Sequence, residues 1–217
     1  MSFDNSKPPI FGEIRFELPI APVSQQANAA AKSAVTNEIR SITRLLEYIL
    51  TGDVKIEIEW LVHEQLRYES DQAPDVDNII KPLLDGLCGP EGLLRDDCQV
   101  QSVSCYWIDW TREDQQIAVR VSYMPDDWLK KKNLFFVQYP KGLCFPVNRD
   151  LPHKALNLIV NRVETMLADR EELQQLSNDY YFSKTLLPIQ RFFHRTRING
   201  FSVVKIDEIR DRANDPV

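Results

Sequence analysis

The chain has 217 residues, of which 43% are hydrophobic and 27% charged, with a net charge of -6. This composition is that of an ordinary folded protein and excludes the disordered and collagen-like classes. No apolar run approaches the about 18 residues that a membrane-spanning helix needs, so we expect a cytoplasmic protein with no membrane partner. The four cysteines match neither a zinc knuckle nor a disulfide framework, which favours reduced, structural thiols.

The charge is unevenly distributed along the chain. Residues 1–125 hold 11 Lys/Arg and 20 Asp/Glu, whereas residues 126–217 hold 15 and 12. The net charge of -6 argues against a protein that coats nucleic acid through bulk positive charge. Pro125–Asp127 and Lys130–Lys132 interrupt the pattern between the two parts. We therefore predict two domains, 1–125 and 126–217.

The first part begins with a predicted strand, helix and strand. Glu13–Leu18 and Val54–Val62 alternate apolar and polar residues, which predicts two half-buried strands. Between them, Ala29–Leu50 carries apolar residues at helical spacing and ends at Thr51–Gly52. That pattern predicts one long helix.

The next segment predicts a loop, a second helix and a hairpin. Glu64–Pro74 is polar and is expected to be a loop. Asp77 is expected to cap a short helix whose first turn Pro82 distorts. The strand candidates Gln99–Trp107 and Gln116–Tyr123, joined by a polar connection, predict an antiparallel hairpin. The fold class is therefore α/β, with a βαβαββ mixed sheet and helices.

The second part predicts a smaller, mainly helical region. Leu151–Leu176 is amphipathic and predicts a long helix with Pro152 in its first turn. Asn199–Gly200 predicts a two-residue hairpin turn. Lys184–Lys205 interleaves five cations with phenylalanines and contains no acid, a mix that suits nucleic acid but also a segment whose rings pack inward. The cations predicted to contact nucleic acid are Lys184, Arg191, Arg195 and Arg197.

The densest set of chemically useful side chains lies between residues 75 and 100. Asp75 and Asp77 stand two apart before Asn78, Lys81 follows four residues after Asp77, and Asp97 opens a predicted strand. Carboxylates at a helix mouth and a strand entrance can point at one centre, as a hard oxygen cage for magnesium requires. Each piece alone has a plainer interpretation, because Asp favours caps and turns and Lys81 could form a helical ion pair.

In combination, these motifs resemble the RusA family of Holliday-junction resolvases. The family pattern is D-x-D-N, a lysine four residues after the second Asp, and a D-D-x-Q-V segment that opens a strand; residues 75–78, Lys81 and residues 96–100 carry it. The resemblance covers about residues 11–124. It implies a RusA-like fold in which Asp75, Asp77 and Asp97 are catalytic metal ligands, Lys81 is the catalytic lysine, and Asn78 and Asp96 support them.

The resemblance also implies an activity and its partners. It indicates a Mg²⁺-dependent endodeoxyribonuclease, with Mn²⁺ as a possible substitute, that resolves four-way junctions by phosphodiester hydrolysis in DNA recombination and repair. Its partners would be branched DNA and a second copy of the chain, because two symmetric strands need two active sites. No nucleotide cofactor is expected.

Two features depart from the family pattern. The loop after Pro22–Ser24 reads Gln25–Lys32 and is poor in the basic and aromatic residues that suit DNA, and the catalytic part is acidic. Two alternatives therefore stay open. One is a nuclease of the same chemistry that acts on flaps, single strands or RNA. The other is a non-catalytic binding or assembly module.

Overall fold

The computed structural model describes residues 4–71, 73–188 and 190–211. The chain forms two compact units, one up to Lys131 and one from Lys132 onward. No helix in the described ranges is both long and apolar enough to cross a bilayer. The first unit comprises β1 (Glu13–Leu18), α1 (Ala29–Thr43), β2 (Tyr48–Leu50), β3 (Val54–Val62), α2 (Glu64–Tyr68), α3 (Val76–Leu87), β4 (Val100–Asp109), β5 (Gln116–Tyr123) and β6 (Trp128–Lys130).

The main sheet of the first unit has the order β1-β5-β3-β4. β3 lies in its interior, antiparallel to β5 and parallel to β4. Alternate residues of β3 from Val54 to Val62 are buried, as expected for a strand with one core face. The predicted strands Glu13–Leu18 and Val54–Val62 are confirmed, and so is the α/β class with a mixed sheet.

The predicted hairpin between the last two strands is wrong. β4 and β5 lie on either side of β3 and do not pair with each other. Parallel strands need a long crossover connection, and α2 with α3 supplies it between β3 and β4. Within this crossover, α3 ends at Leu87 and β4 begins at Val100.

Two helix predictions in the first unit also need correction. The helix predicted over Ala29–Leu50 ends at Thr43, and Tyr48–Leu50 form β2, which pairs with β6. All three β2 residues are buried in succession, whereas an amphipathic helix buries only one face. The predicted loop Glu64–Pro74 contains the short helix α2.

The second unit combines a small sheet with helices. Its elements are β7 (Leu134–Gln138), β8 (Leu143–Asn148), α4 (His153–Ser177), α5 (Tyr180–Lys184), β9 (Phe193–His194), β10 (Val203–Lys205) and α6 (Ile206–Asp211). The sheet order is β10-β7-β8-β9. Val160 and Val163 of α4 are buried in a core with Phe135 and Val137 of β7. Helical residues outnumber strand residues, as predicted.

The predicted long helix of this unit is confirmed. Its observed start differs from the predicted one, and the predicted hairpin turn is wrong. Pro152 is the residue that precedes α4, outside its first turn. Asn199–Gly200 do not join two paired strands, because β10 pairs in parallel with β7. The hairpin of this unit is instead β7 with β8. Phe193 is buried, so the inward-packing interpretation of these phenylalanines is right for that ring.

Candidate active site

Helix α3 presents a row of charged side chains. Asp77, Lys81 and Asp85 follow one another at four-residue spacing and lie at least partly exposed, while Ile79 and Leu83 are buried. The opposite side of α3 packs closely on α1. A Cβ built on Gly86 would lie 2.5 Å from Cδ1 of Ile39, so a larger residue here would require the Ile39 side chain to shift.

The proline inside α3 is accommodated without breaking the helix. The helix α3 runs continuously from Val76 to Leu87, and the predicted distortion of its first turn stays a prediction. Pro82 has no amide to donate to the Asn78 carbonyl, which accepts a hydrogen bond from the Gln25 amide at 2.8 Å instead. The loop that follows Pro22–Ser24 is thereby tied to the first turn of α3. The N-cap residue is Asp75, with an extended backbone, and not Asp77 as predicted.

A buried glutamine holds the turn that carries Asp96 and Asp97. Gln99 is 2% exposed. Its amide nitrogen donates to the carbonyls of Leu50 at 3.0 Å and Gly52 at 2.7 Å. Its oxygen accepts from the amides of Arg95 at 2.8 Å and Asp96 at 3.2 Å. The Asp96 carboxylate in turn accepts from the Cys98 amide at 3.0 Å, so the turn is anchored on both sides.

The two sequence motifs meet at Lys81. Its Nζ lies 2.5 Å from Oδ1 of Asp85 and 2.8 Å from Oδ2 of Asp97. The hydrogen bond with Asp85, followed by that with Asp97, raises the pKa of Lys81 above its ordinary value. The side chain therefore stays cationic, which suits the stabilisation of negative charge and excludes a role as general base.

The other two predicted ligands lie in different surroundings. The Asp75 carboxylate is exposed and lies 3.9 Å from Nη1 of Arg67. Arg67 also donates to the Pro74 carbonyl at 3.2 Å and lies 5.7 Å from the ring centroid of Trp60. Within the described ranges, the Asp77 side chain has no hydrogen-bond or ion-pair partner. Asp75 is thus held towards α2, and Asp77 remains open to solvent.

The predicted three-carboxylate cage is not assembled in this arrangement. The described part of the chain contains no group of three His, Cys, Asp or Glu side chains placed to hold a metal ion. The donor chemistry nevertheless suits a divalent cation, because carboxylate oxygens are the hard ligands that magnesium prefers. The assignment of Asp75, Asp77 and Asp97 as metal ligands stays a prediction.

Neighbouring thiols do not add a nucleophile. The cysteines are all free, as their spacing predicted. Burial, with a further contribution from the charge of Asp97, raises the pKa of the Cys88 thiol to about 12. Burial likewise raises the pKa of Cys98. Because the thiolate is the reactive form, the site offers carboxylates and one ammonium group but no activated thiol.

Three residues that are important to this geometry were assigned no function from the sequence. Asp85 could have been found from its position four residues after Lys81. Gln99 is the glutamine of the D-D-x-Q-V segment, but nothing in the motif shows that it is buried. Arg67 gives no local signal, since its contact with Asp75 depends on α2 within a segment expected to be a loop.

The cations predicted to bind nucleic acid lie in the second unit and fall into two sets. Lys184 ends α5 and lines one cavity together with Arg191. Arg195 and Arg197 lie in a 3-10 turn and are not part of that cavity's lining. The structure therefore brings together two of the four. Their contact with nucleic acid stays a prediction.

Comparison with known proteins identifies the first unit. Residues 21–122 match the family model described as endodeoxyribonuclease RusA. The matched range includes α1, α3 and the Asp96–Gln99 turn, and hence every residue of the predicted catalytic set. A search of the curated proteins found no match. The resemblance inferred from the motifs is therefore confirmed by the match of residues 21–122 to the endodeoxyribonuclease RusA family model.

Proposed function

We propose that the protein is a magnesium-dependent endonuclease that resolves four-way DNA junctions in recombination and repair. The observation that carries the proposal is the contact between Lys81 and Asp97, which joins the two motif segments at one place. The family match supplies the reaction class, because the matched family is one of endodeoxyribonucleases. The junction substrate and the metal are the parts that the proposal adds.

Each predicted residue has a role in this mechanism. Asp75, Asp77 and Asp97 would hold the divalent cation, for which Mn²⁺ can substitute. When bound, the cation supplies an activated water and neutralises charge on the phosphate. Lys81 stabilises the negative charge that develops on the phosphoryl oxygens. Asp96 supports the site by capping its turn, and Asn78 supports it by accepting the hydrogen bond that anchors the Gln25 loop.

The proposed partners are branched DNA and a second copy of the chain. Cutting two strands related by two-fold symmetry requires two active sites, which a symmetric homodimer provides. We also propose a cytoplasmic location, since the four cysteines are free and disulfides are rare in that reducing compartment.

A second candidate is a nuclease of the same chemistry that cuts flaps, single strands or RNA. The acidity of the first unit favours it, because residues 1–131 hold 13 Lys/Arg and 22 Asp/Glu. Such a surface repels a duplex that approaches along its length. A binding module with an inactive site is the third candidate and would bind magnesium without cleaving any of these substrates.

Cleavage of a labelled synthetic four-way junction separates these candidates. The junction, a matched linear duplex, a flap, a single strand and an RNA would each be incubated with Mg²⁺ or with EDTA. We expect paired nicks in the junction that require Mg²⁺, and no cleavage of the duplex. Asp77→Asn should abolish cleavage, because it removes a charged oxygen donor while leaving the helix intact.

Asp114→Asn provides the matched control, since Asp114 is also exposed in the first unit and lies far along the chain from the motif. It should cut at the wild-type rate. Wild-type cleavage by Asp77→Asn would show that the site is wrongly assigned. Cleavage of flap, single strand or RNA in preference to the junction would instead show that the proposed substrate is wrong while the proposed chemistry is right.

A further inference from the structure

The second unit contains a cavity whose lining is basic and aromatic. Its volume is about 420 Å³, within the range of about 300 to 1,000 Å³ typical of small-molecule sites. Arg170 of α4, Lys184 of α5 and Arg191 bring three positive charges to it, and none of the described residues that line it is acidic. Tyr180 and Phe192 add two aromatic rings to the same cavity.

Two acids that line a second cavity together with Arg170 are already ion-paired with other cations. Glu164 lies 2.5 Å from Nη2 of Arg210, and Glu171 forms an ion pair with Lys141. The Nε of Arg170 is buried and has no hydrogen-bond partner among the described residues. Lys184 likewise has no ion pair in the described part of the chain. Arg170 and Lys184 therefore bring to the cavity positive charge that has no ion-pair partner among the described residues.

The aromatic rings differ in their contacts and in their exposure. Phe192 is partly buried and fixed by Phe145 and Tyr139, at ring-centroid distances of 5.2 and 6.3 Å. It therefore forms a rigid part of the lining. Tyr180 is 49% exposed and its neighbour Tyr181 is 78% exposed. An exposed ring beside a set of cations is the arrangement that binds the bases and phosphates of single strands.

We propose that this cavity binds one unpaired nucleotide of a DNA strand, with its phosphate among Arg170, Lys184 and Arg191 and its base against Tyr180. The volume admits a single nucleotide but not a base-paired duplex. The proposed active site is not required for this binding, so the site would hold a strand whether or not the protein cleaves it. It also gives Arg170, which no sequence motif singled out, a defined role.

The test compares two double variants of the full-length protein with equal changes in charge. Arg170→Gln combined with Lys184→Gln alters the cavity. Arg162→Gln combined with Lys154→Gln alters two exposed cations of α4 that do not line it. Binding of a labelled oligothymidylate would be measured by fluorescence anisotropy in EDTA, over a series of salt concentrations.

The cavity variant should bind the oligothymidylate more weakly by about 10- to 100-fold. The slope of log K against log salt should fall by about 0.7, because the cavity neutralises one phosphate and each phosphate contact on a single strand contributes about 0.7. The control variant should change affinity by no more than about twofold, since separated exposed charges are screened at a Debye length of about 10 Å. Binding of a blunt duplex should respond equally to the two variants.

Two further arms identify the parts of the ligand. Tyr180→Ala should weaken binding about tenfold through lost base stacking, whereas Phe182→Ala, an exposed ring outside the lining, should not. Thymidine 5′-monophosphate should compete for the cavity, and thymidine should compete much less, because it lacks the phosphate. Inorganic phosphate should compete more weakly than the nucleotide.

Three results would overturn the proposal. Equal losses in the two double variants would show that only net charge matters. Equal losses for duplex and single strand would exclude an unpaired nucleotide. If polyglutamate displaced the labelled oligothymidylate at the same concentration as unlabelled DNA does, the cavity would be a site for an acidic peptide. None of these results bears on junction cleavage by the first unit, since all binding is measured in EDTA, so the two proposals fail separately.

Discussion

The two units of this protein differ in charge and in where their functional side chains stand. The first unit holds nine more acidic than basic residues, and its candidate site is a set of carboxylates around one lysine. The second unit, from residue 132 onward, has 13 Lys/Arg and 10 Asp/Glu and gathers three cations at one cavity. The family match ends before it, at residue 122.

This difference indicates how an acidic nuclease domain can act on a polyanion. Carboxylates that bind a cation repel DNA until the cation is present, so the domain alone gains little from electrostatic attraction. Cations elsewhere in the same chain can supply that attraction without occupying the catalytic site. The rate of cleavage and the strength of DNA binding are therefore expected to depend on different units, and the two quantities can be measured independently.

After the loss of cleavage expected for Asp77→Asn, the largest effect is expected from Lys81→Met. Under the proposed mechanism, removing the ammonium that would stabilise charge on the phosphoryl oxygens should lower the single-turnover rate of junction cleavage by about 10² to 10³. The free energy of unfolding should change by less than about 1 kcal/mol, because the ion pairs of Lys81 are partly exposed. Junction affinity in EDTA should stay within about twofold, since the cavity cations of the second unit remain.

Lys55→Met is the matched control for that variant, because Lys55 is an exposed lysine of the same unit. It should leave rate, affinity and stability at their wild-type values. The separation of rate from binding would break down if Lys81→Met weakened DNA binding as strongly as it slowed cleavage. In that case Lys81 would be a DNA-binding residue and not a catalytic one.

A second prediction concerns the scaffold beneath the first unit's site. Gln99→Leu should lower the free energy of unfolding by about 3 kcal/mol, because it leaves buried carbonyls and amides without partners. Urea denaturation measures this change. Gln101→Leu, at an exposed position on β4, should change it by no more than about 0.5 kcal/mol. Equal stability of the two variants would show that the hydrogen bonds of Gln99 do not hold the turn.

The sequence predicted the strands of the first unit better than its connections. β1 and β3 were predicted with their observed bounds, because alternation along a half-buried strand is a local property. The pairing of β4 with β3 was missed, because the partner of a strand is set by the crossover and not by the strand's own pattern. Tyr48–Leu50 were wrongly assigned to the preceding helix, because a short run of buried residues has no clear hydrophobic period.

The two candidate sites also differ in how much of each could be predicted from the sequence. The motifs and their family resemblance singled out Lys81 and Asp97, which the fold places 2.8 Å apart. Asp85 was visible as a neighbour four residues away, but its shared contact with Lys81 needed the structure. Arg170 was not predictable, because it comes from α4 and joins Lys184 and Arg191 only through tertiary packing. The proposed domain boundary between residues 125 and 126 stays a prediction.

The smallest expected effect concerns Lys131, at the end of the first unit. Its Nζ donates to the Thr43 carbonyl at 2.7 Å, and burial lowers its pKa to about 8. An unfolded lysine has a pKa of about 10.4, so between about pH 8 and pH 10 the unfolded chain holds a proton that the folded one has lost. Raising the pH across this window therefore favours the folded state at this residue.

Lys131→Met isolates that contribution. The free energy of unfolding of the wild type, minus that of the variant, should increase by about 1 kcal/mol from pH 7.5 to pH 10, after allowance for partial exposure. Subtraction is needed because burial raises the pKa of Cys88 and Cys105, which lowers the stability of both proteins above about pH 8.5. A difference that stayed constant with pH would show that Lys131 keeps its proton throughout. The hydrogen bond to Thr43 would then outweigh the cost of burying the charge.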